Sequence, residues 1–402
     1  MVNDDTPVPG RAPRGAGSPS ALRRANYERV IDTLRFRGAM TQAALARATG
    51  LSPATVSNLV RALGDEGLVT TDPTTSSGRR AVRVALARKE LAVAVGIDVG
   101  RRHVRLLLAA EDGSVLGESY EGIAAGHGPE RCLVLMDSML DRTLADAGVS
   151  RSELVGAGVG IPGPIDARTG VVGHAAVLPE WVGLELRPAL AERLAMPVVV
   201  DNDANLGALA EHRWGDHSGA DHLVFVKVAS GIGAGLVLGG QVHRGQIGIT
   251  GELGHLQVQP FGPVCRCGNR GCLETVAAIP TMLSALAAST GRTPRTSELL
   301  QLVQARDLAA LRVLEDAGLA LGQVLGGLCN LLNPEVVLLA GPLTGVGDLL
   351  LAATRRGLER ATPPVVAAST TLALETLGAR AEAMGAAGAA HDAAQVPLRH
   401  AG

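Results

Sequence analysis

The chain has 402 residues, 47% hydrophobic but only 2% aromatic, enough for two or three domains whose cores must be built from Ala, Val, Leu and Ile. It has no apolar run of membrane-spanning length and no basic-then-apolar start, so the expectation is a soluble cytoplasmic protein without a membrane partner. The net charge of −2 hides an asymmetry, because residues 20–90 hold twelve Lys and Arg against six Asp and Glu while residues 1–19 balance to zero; a basic module on an acidic body is expected where one part meets nucleic acid.

Residues 1–19 are rich in Pro, Gly, Ser, Asp and Arg without apolar periodicity and read as a disordered arm. Leu22, Val30, Ile31 and Leu34 then recur at helical spacing over 20–36, with Gly38 as the stop. Thr41 caps a short second helix that ends at Gly50. Ser52 followed by Pro53 opens a third helix through Val56, Leu59, Val60 and Leu63 to about Asp65. A strand over 68–70, a polar turn over 72–78 and a second strand over 81–86 complete a winged helix, giving a DNA-binding domain over 20–90.

In a helix-turn-helix the second helix enters the major groove with its N-terminal residues at the base edges. The outward residues here are Ala54, Thr55, Ser57, Asn58 and Arg61. Asn pairs with adenine, a Thr methyl touches thymine and Arg reaches guanine or phosphate. Ser52 caps the helix and is placed for a phosphate oxygen. Arg79 and Arg80 follow a glycine-loosened turn in the wing, suited to minor groove or backbone. The expected partner is double-stranded DNA. Val56, Leu59 and Leu63 read as core.

From residue 91 strand-like runs alternate with helical ones, at 93–97, 104–109, 155–159, 198–200, 223–228 and 336–339. This is an α/β pattern. Asp98 and Gly100 open a hairpin, 160–166 is a rigid Pro-Gly-Pro turn after a strand, 201–205 leads from a strand into a helix, and 230–235 reads as a glycine-rich turn able to cradle an anion. The tail from 392 to 402 is expected to be disordered.

Cys265, Cys267 and Cys272 have the spacing C-x-C-x4-C, with glycines that allow tight turns, and His255 lies ten residues upstream. Five cysteines in a chain of this length do not make a disulfide scaffold, and three thiols this close suit a tetrahedral Zn²⁺. Cys3His leaves no open position, so the zinc is expected to be structural. Arg266 and Arg270 either offset thiolate charge or are solvated. Cys132 and Cys329 read as small core residues.

Taken together in this order, these segments resemble the ROK family, repressors and sugar kinases on the actin-like/hexokinase fold. The resemblance spans about residues 20–390 and is strongest at 201–205, 231–235 and 251–255 with 265–274. It implies an N-terminal winged helix (α+β) followed by a two-lobed α/β actin-like/hexokinase (ribonuclease H-like) sensor over 91–391, with a zinc loop at 255–272, assembled as a homodimer or homotetramer. It also implies that Asn202, Asp203, Glu252, His255 and Glu274 contact a sugar, with His255 ligating zinc through one nitrogen and facing the sugar with the other. Asp203 matches the kinases' general base.

Kinases of the family read Asp-x-Gly-Gly-Thr after the first strand, whereas Asp98 and Gly100 are followed here by Arg101 and Arg102. Ala229-Ser-Gly replaces Gly-Thr-Gly, Ala340-Gly-Pro is a further departure, and Val177 stands where the family carries Asn before Leu-Pro-x-x-Trp. The two arginines either crowd out ATP or are ordinary surface residues. The resulting expectation is a non-enzymatic repressor of carbohydrate genes on a pseudo-palindromic operator, answering to a sugar or sugar phosphate. The alternatives are an active sugar kinase that also binds DNA, or a regulator that answers to a protein partner.

Overall fold

Capping and apolar spacing place the helices of the first of two units, Met1–Glu90 and Leu91–Gly402. The structure, a computed structural model, describes residues 19–76, 79–87, 92–166, 169–173 and 178–395. In the first unit α1 (Pro19–Arg37), β1 (Met40–Thr41), α2 (Gln42–Thr49), α3 (Pro53–Asp65), β2 (Val69–Ser76) and β3 (Arg79–Leu86) follow in order. The sheet runs β1-β3-β2 and is antiparallel. Thr41 accepts from the Ala44 N–H, and Gly50 closes α2 at φ 68°. Val30, Leu34, Leu45, Val56, Leu63 and Val84 fill the core.

The hairpin corrects the polar turn expected over 72–78. Pairing continues from Val69 opposite Leu86 to Ser76 opposite Arg79. Four β-branched threonines, Thr70, Thr71, Thr74 and Thr75, favour extended backbone despite their polarity, and Pro73 is tolerated because β2 is an edge strand. The arm over residues 1–18, Ser77 and Gly78 at the wing tip, Val177 and the last seven residues lie outside the described residues.

The second unit repeats one sheet plan twice. β4 (Val93–Val99), β5 (His103–Ala110), β6 (Val115–Gly122), β7 (Leu154–Ile161) and β8 (Val198–Asn202) form a sheet of order β6-β5-β4-β7-β8. β9 (His222–Val228), β10 (Ile232–Leu238), β11 (Gln241–Val242), β12 (Val336–Ala340) and β13 (Thr371–Leu374) form the other, β11-β10-β9-β12-β13. In each, three consecutive strands meander antiparallel and the next two add in parallel. Parallel addition needs crossovers, which α4 (Pro129–Ala147) and α5 (Leu186–Leu194) supply in the first lobe. After β8 comes α6 (Asp203–Trp214). The second lobe carries α7 (Glu274–Ala277), α8 (Ile279–Thr290), α9 (Thr296–Gln304), α10 (Leu308–Leu332), α11 (Asp348–Ala361) and α12 (Pro364–Ser369). The two sheet-and-helix cores are separate apolar clusters, one around Ile97, Met136 and Trp181, the other around Val226, Leu321 and Leu339.

The last helix, α13 (Ala381–Gln395), corrects the expectation of a disordered tail from 392. Every residue from Ala381 to His391 is buried, and the Ala and Gly side chains let the helix approach β4 and β7 closely. Asp392 remains inside the helix because Arg213 grips both its oxygens at 2.8 and 2.7 Å. His391 donates Nε2–H to the Ala109 carbonyl at 3.1 Å, while its Nδ1 has no partner among the described residues. Burial pushes its pKa down to about 4 from 6.5. The unfolded chain therefore binds a proton between those values that the folded chain refuses. Stability is fully present above pH 6.5 and is lost as pH falls toward 4, by up to about 3 kcal/mol. Urea melts from pH 7 to pH 4.5 should show this slope, and His391→Gln should flatten it.

Candidate ligand cleft, metal centre and nucleic-acid face

On α3, Ser52 accepts the Thr55 N–H at 3.1 Å and its hydroxyl lies 2.8 Å from that of Thr55. Ser52, Asn58 and Arg61 are exposed, Thr55 and Ser57 half-buried, and Val56, Leu59, Val60 and Leu63 buried beneath them. One helix thus separates an apolar face from a face of hydrogen-bonding side chains. Arg79 and Arg80 open β3 next to the wing tip.

The second unit contains a cavity of about 730 Å³ with walls from both lobes. Asn202, Asp203, Glu252, His255 and Glu274 all line it, so residues scattered over 73 positions of the chain share one wall. Asn202 caps α6, accepting from Ala204 N at 2.9 Å and Asn205 N at 3.3 Å, and donates its amide to the Gly163 carbonyl at 3.0 Å. The turn over 160–166 is thereby tied to the start of α6. Asp201 and Asn205 act as scaffold: Asp201 accepts from Asn205 and from Arg244, at 3.0 and 2.8 Å. Burial raises the Glu252 carboxyl pKa above its usual value, with His255 opposing and Asp203 and Glu274 adding to the rise.

The glycine-rich turn expected over 230–235 is shorter than its composition implied. β10 begins at Ile232, and Gly233 and Gly235 pair with Lys227 and Phe225 on β9. Gly235 makes room in the sheet against α6, since a Cβ there would lie 2.2 Å from the Ala204 carbonyl oxygen, whereas one on Gly233 would meet only ordinary contact. Arg101 and Arg102 are exposed, and line the cavity at the β4–β5 hairpin.

Two charged residues of the cleft, Arg266 and Lys227, make ion pairs that sequence reasoning missed. Arg266, an exposed residue, bonds Glu274 through Nε and Nη2, at 3.1 and 2.9 Å, so besides being solvated it holds a cleft carboxylate. Lys227 on β9 reaches Asp203 at 2.9 Å and Glu382 at 2.8 Å. Burial works against the Lys227 ammonium, but Asp203, Glu382 and Asp98 outweigh it and hold its pKa well above the usual lysine range. A lysine inside the otherwise apolar strand HLVFVKV was the available signal, because a buried charge demands partners. Nothing in sequence said that one of them would come from residue 382.

The four expected metal ligands lie together. The donor atoms of His255, Cys265, Cys267 and Cys272 are all within 4.8 Å of one another. Cys267 and Cys272 sulfurs are 3.8 Å apart, and Cys265 sulfur is 3.6 Å from His255 Nδ1. Tetrahedral zinc with arms of about 2.3 Å places its ligands roughly 3.7 Å apart, so the donor set fits the ion in type and spacing. The loop closes through Cys265 N–H to the Asn269 carbonyl at 2.7 Å. Gly271 at φ 65° is required there, since a Cβ would lie 1.6 Å from the Gln259 oxygen. His255 Nε2 points the other way, 3.6 Å from Glu252. Cys132 and Cys329 are buried in the apolar cores.

Residues 94–393 match the ROK family and residues 29–73 the IclR helix-turn-helix domain. The xylose repressor of Bacillus subtilis (strain 168) is 27% identical over 366 residues, 90% of this chain and 94% of that protein. A solved ROK family transcriptional regulator, a homologue of the E. coli MLC protein, superposes with a TM-score of 0.69 at 26% identity, over 93% of this chain and 96% of its own. The ROK hexokinase from Thermus thermophilus is 34% identical with a TM-score of 0.61, covering 98% of its own length but 75% of this chain. Among the described residues no helix is long and apolar enough to cross a membrane.

Proposed function

This chain belongs to the ROK family, and we propose that within it the chain is a sugar-responsive transcriptional repressor and not a kinase. The observation that carries this reading is that a regulator of the family matches 93% of the chain, against 75% for the hexokinase. Basic residues concentrated in 20–90 and the polar outer face of α3 supply the DNA-binding half. The cleft around Asn202, Asp203, Glu252, His255 and Glu274 supplies the sensor, for a sugar or sugar phosphate. Carboxylates and amides suit this ligand because they pair with many hydroxyls at once. His255, Cys265, Cys267 and Cys272 hold one zinc, which braces the wall bearing His255 and Glu274 and supplies no open coordination site. The repressor acts as a homodimer or homotetramer, so that paired α3 helices read a pseudo-palindromic operator.

Ligand binding and DNA release are linked only if the sugar prefers one state of the protein, by about 1–3 kcal/mol. Gel-shift titration of upstream DNA, with and without a panel of sugars and sugar phosphates, tests the reading. Operator binding that no member of the panel alters would remove the sensor half. Asn58→Ala should cost specific binding about 1–3 kcal/mol and relax base preference at one position, whereas Arg79→Ala should weaken specific and random DNA alike and lower the salt slope by about one. Equal effects of the two changes on operator and random DNA would overturn the assignment.

A further inference from the structure

Lys227 takes the middle of a carboxylate cluster that the sugar contacts do not explain. Its ammonium bonds Asp203 at 2.9 Å and Glu382 at 2.8 Å. The Asp98 carboxylate acts on the same ammonium electrostatically and is itself 3% exposed. One Asp98 oxygen accepts from His103 at 2.8 Å; the other, Oδ1, is buried with no hydrogen-bond partner among the described residues. Three acidic side chains from β4, α6 and α13 are therefore gathered around one ammonium, and of these four residues Asp203 and Lys227 line the cleft while Asp98 and Glu382 lie buried behind them, Asp98 with His103 and Arg105 also acting on it.

Carboxylates gathered in this way are compensated either by a fixed cation or by a bound metal ion. Phosphoryl transfer needs the second arrangement, because divalent ions bridge the phosphates and an acidic side chain must accept the proton of the attacking hydroxyl. Here the Asp203 oxygen that faces the cluster already accepts a hydrogen bond from Lys227, and its other oxygen accepts from the Ala204 N–H at 2.9 Å.

We propose that Lys227 is a built-in substitute for a divalent cation: it fills the place among Asp98, Asp203 and Glu382, bars a metal–nucleotide complex from the cleft, and leaves Asp203 as a fixed acceptor for ligand hydroxyls. The cleft is then selective for a hydroxylated ligand that arrives without metal. This inference rests on the cleft being a ligand site, but its readout is a metal ion titrated without sugar or DNA, so it fails or stands apart from the repressor reading.

The test is a Mn²⁺ titration of the full chain with its zinc in place, followed by the electron spin resonance signal of free Mn²⁺. Wild type should leave the signal unchanged, and Lys227→Ala, which opens space for a hydrated ion, should take up one Mn²⁺ at least about tenfold more tightly, a difference of about 1.4 kcal/mol. Adding Glu382→Gln to that variant should remove the gain, and Lys227→Arg, which keeps the charge, should behave as wild type. Wild type binding one Mn²⁺ that Asp203→Asn abolishes would overturn the proposal. So would a Lys227→Ala protein that melts cooperatively yet takes up none. Should that variant fail to fold, Lys227→Ala/Asp98→Asn relieves the repulsion and is held to the same comparison.

Discussion

Cys267→Ser is expected to abolish the sugar response of DNA binding while leaving DNA binding itself intact. The residue stands 3.8 Å from the Cys272 sulfur in a loop that has little apolar core of its own, between exposed Phe261 and Val264 on one side and the buried start of α7 on the other. In such a loop the metal contributes on the order of 10 kcal/mol to order. On the proposed zinc assignment, loss of the metal would free His255 Nδ1, leaving the ring that faces Glu252 less fixed, and would loosen Cys265 and with it the neighbourhood of Glu274, 2.9 Å away. Zinc content should fall from one per chain to well below that, and a chelator should reproduce the effect on wild type. The first unit is a separate core, so gel shifts should still form. A zinc-free protein that releases operator normally on adding sugar would refute this role.

Gly158→Ala should produce a large loss of stability in the second unit. A Cβ at Gly158 would lie 1.9 Å from the carbonyl oxygen of Ala386, and one at Gly96 equally close to that of Ala383. These contacts join the middle of β4 and β7 to α13 backbone against backbone, so no side chain can rotate away. The expected cost is about 3 kcal/mol, read as a lowered urea midpoint. Because α13 also carries Glu382, a shift of the helix should loosen the Lys227 ion pairs and weaken ligand binding as well. Gly327→Ala is the control. Gly327 is an exposed position inside α10 with nothing within 4 Å of a new Cβ, and there alanine should stabilise by about 0.5–1 kcal/mol. Equal effects at the two sites would show that helix α13 is not held by close approach.

Local signals made the first unit legible. Thr41, Gly50 and the Ser52–Pro53 pair act on their own next few residues, and the cap bonds and helix limits follow from that short range. The hairpin was harder, since polarity argued for a turn while the threonines argued for extension, and pairing with β3 decided for extension. β10 was hidden for a related reason: its glycines resemble a loop, and only at Gly235 does the close approach of α6 explain one.

Composition, motif order and cysteine spacing by themselves pointed to a basic DNA-binding head, a kinase-like α/β body and a C-x-C-x4-C cysteine cluster, because each rests on residues near one another in the chain. Only the tertiary structure decided that Lys227 pairs with both Asp203 and Glu382, that Glu274 is clamped by Arg266, and that an alanine-rich tail is a buried helix. Those facts join residues 282 positions apart, as between Ala109 and His391, and a charge placed in an apolar strand declares that it needs a partner without declaring which. Desolvation sets the demand locally, and the packing of distant elements chooses what meets it.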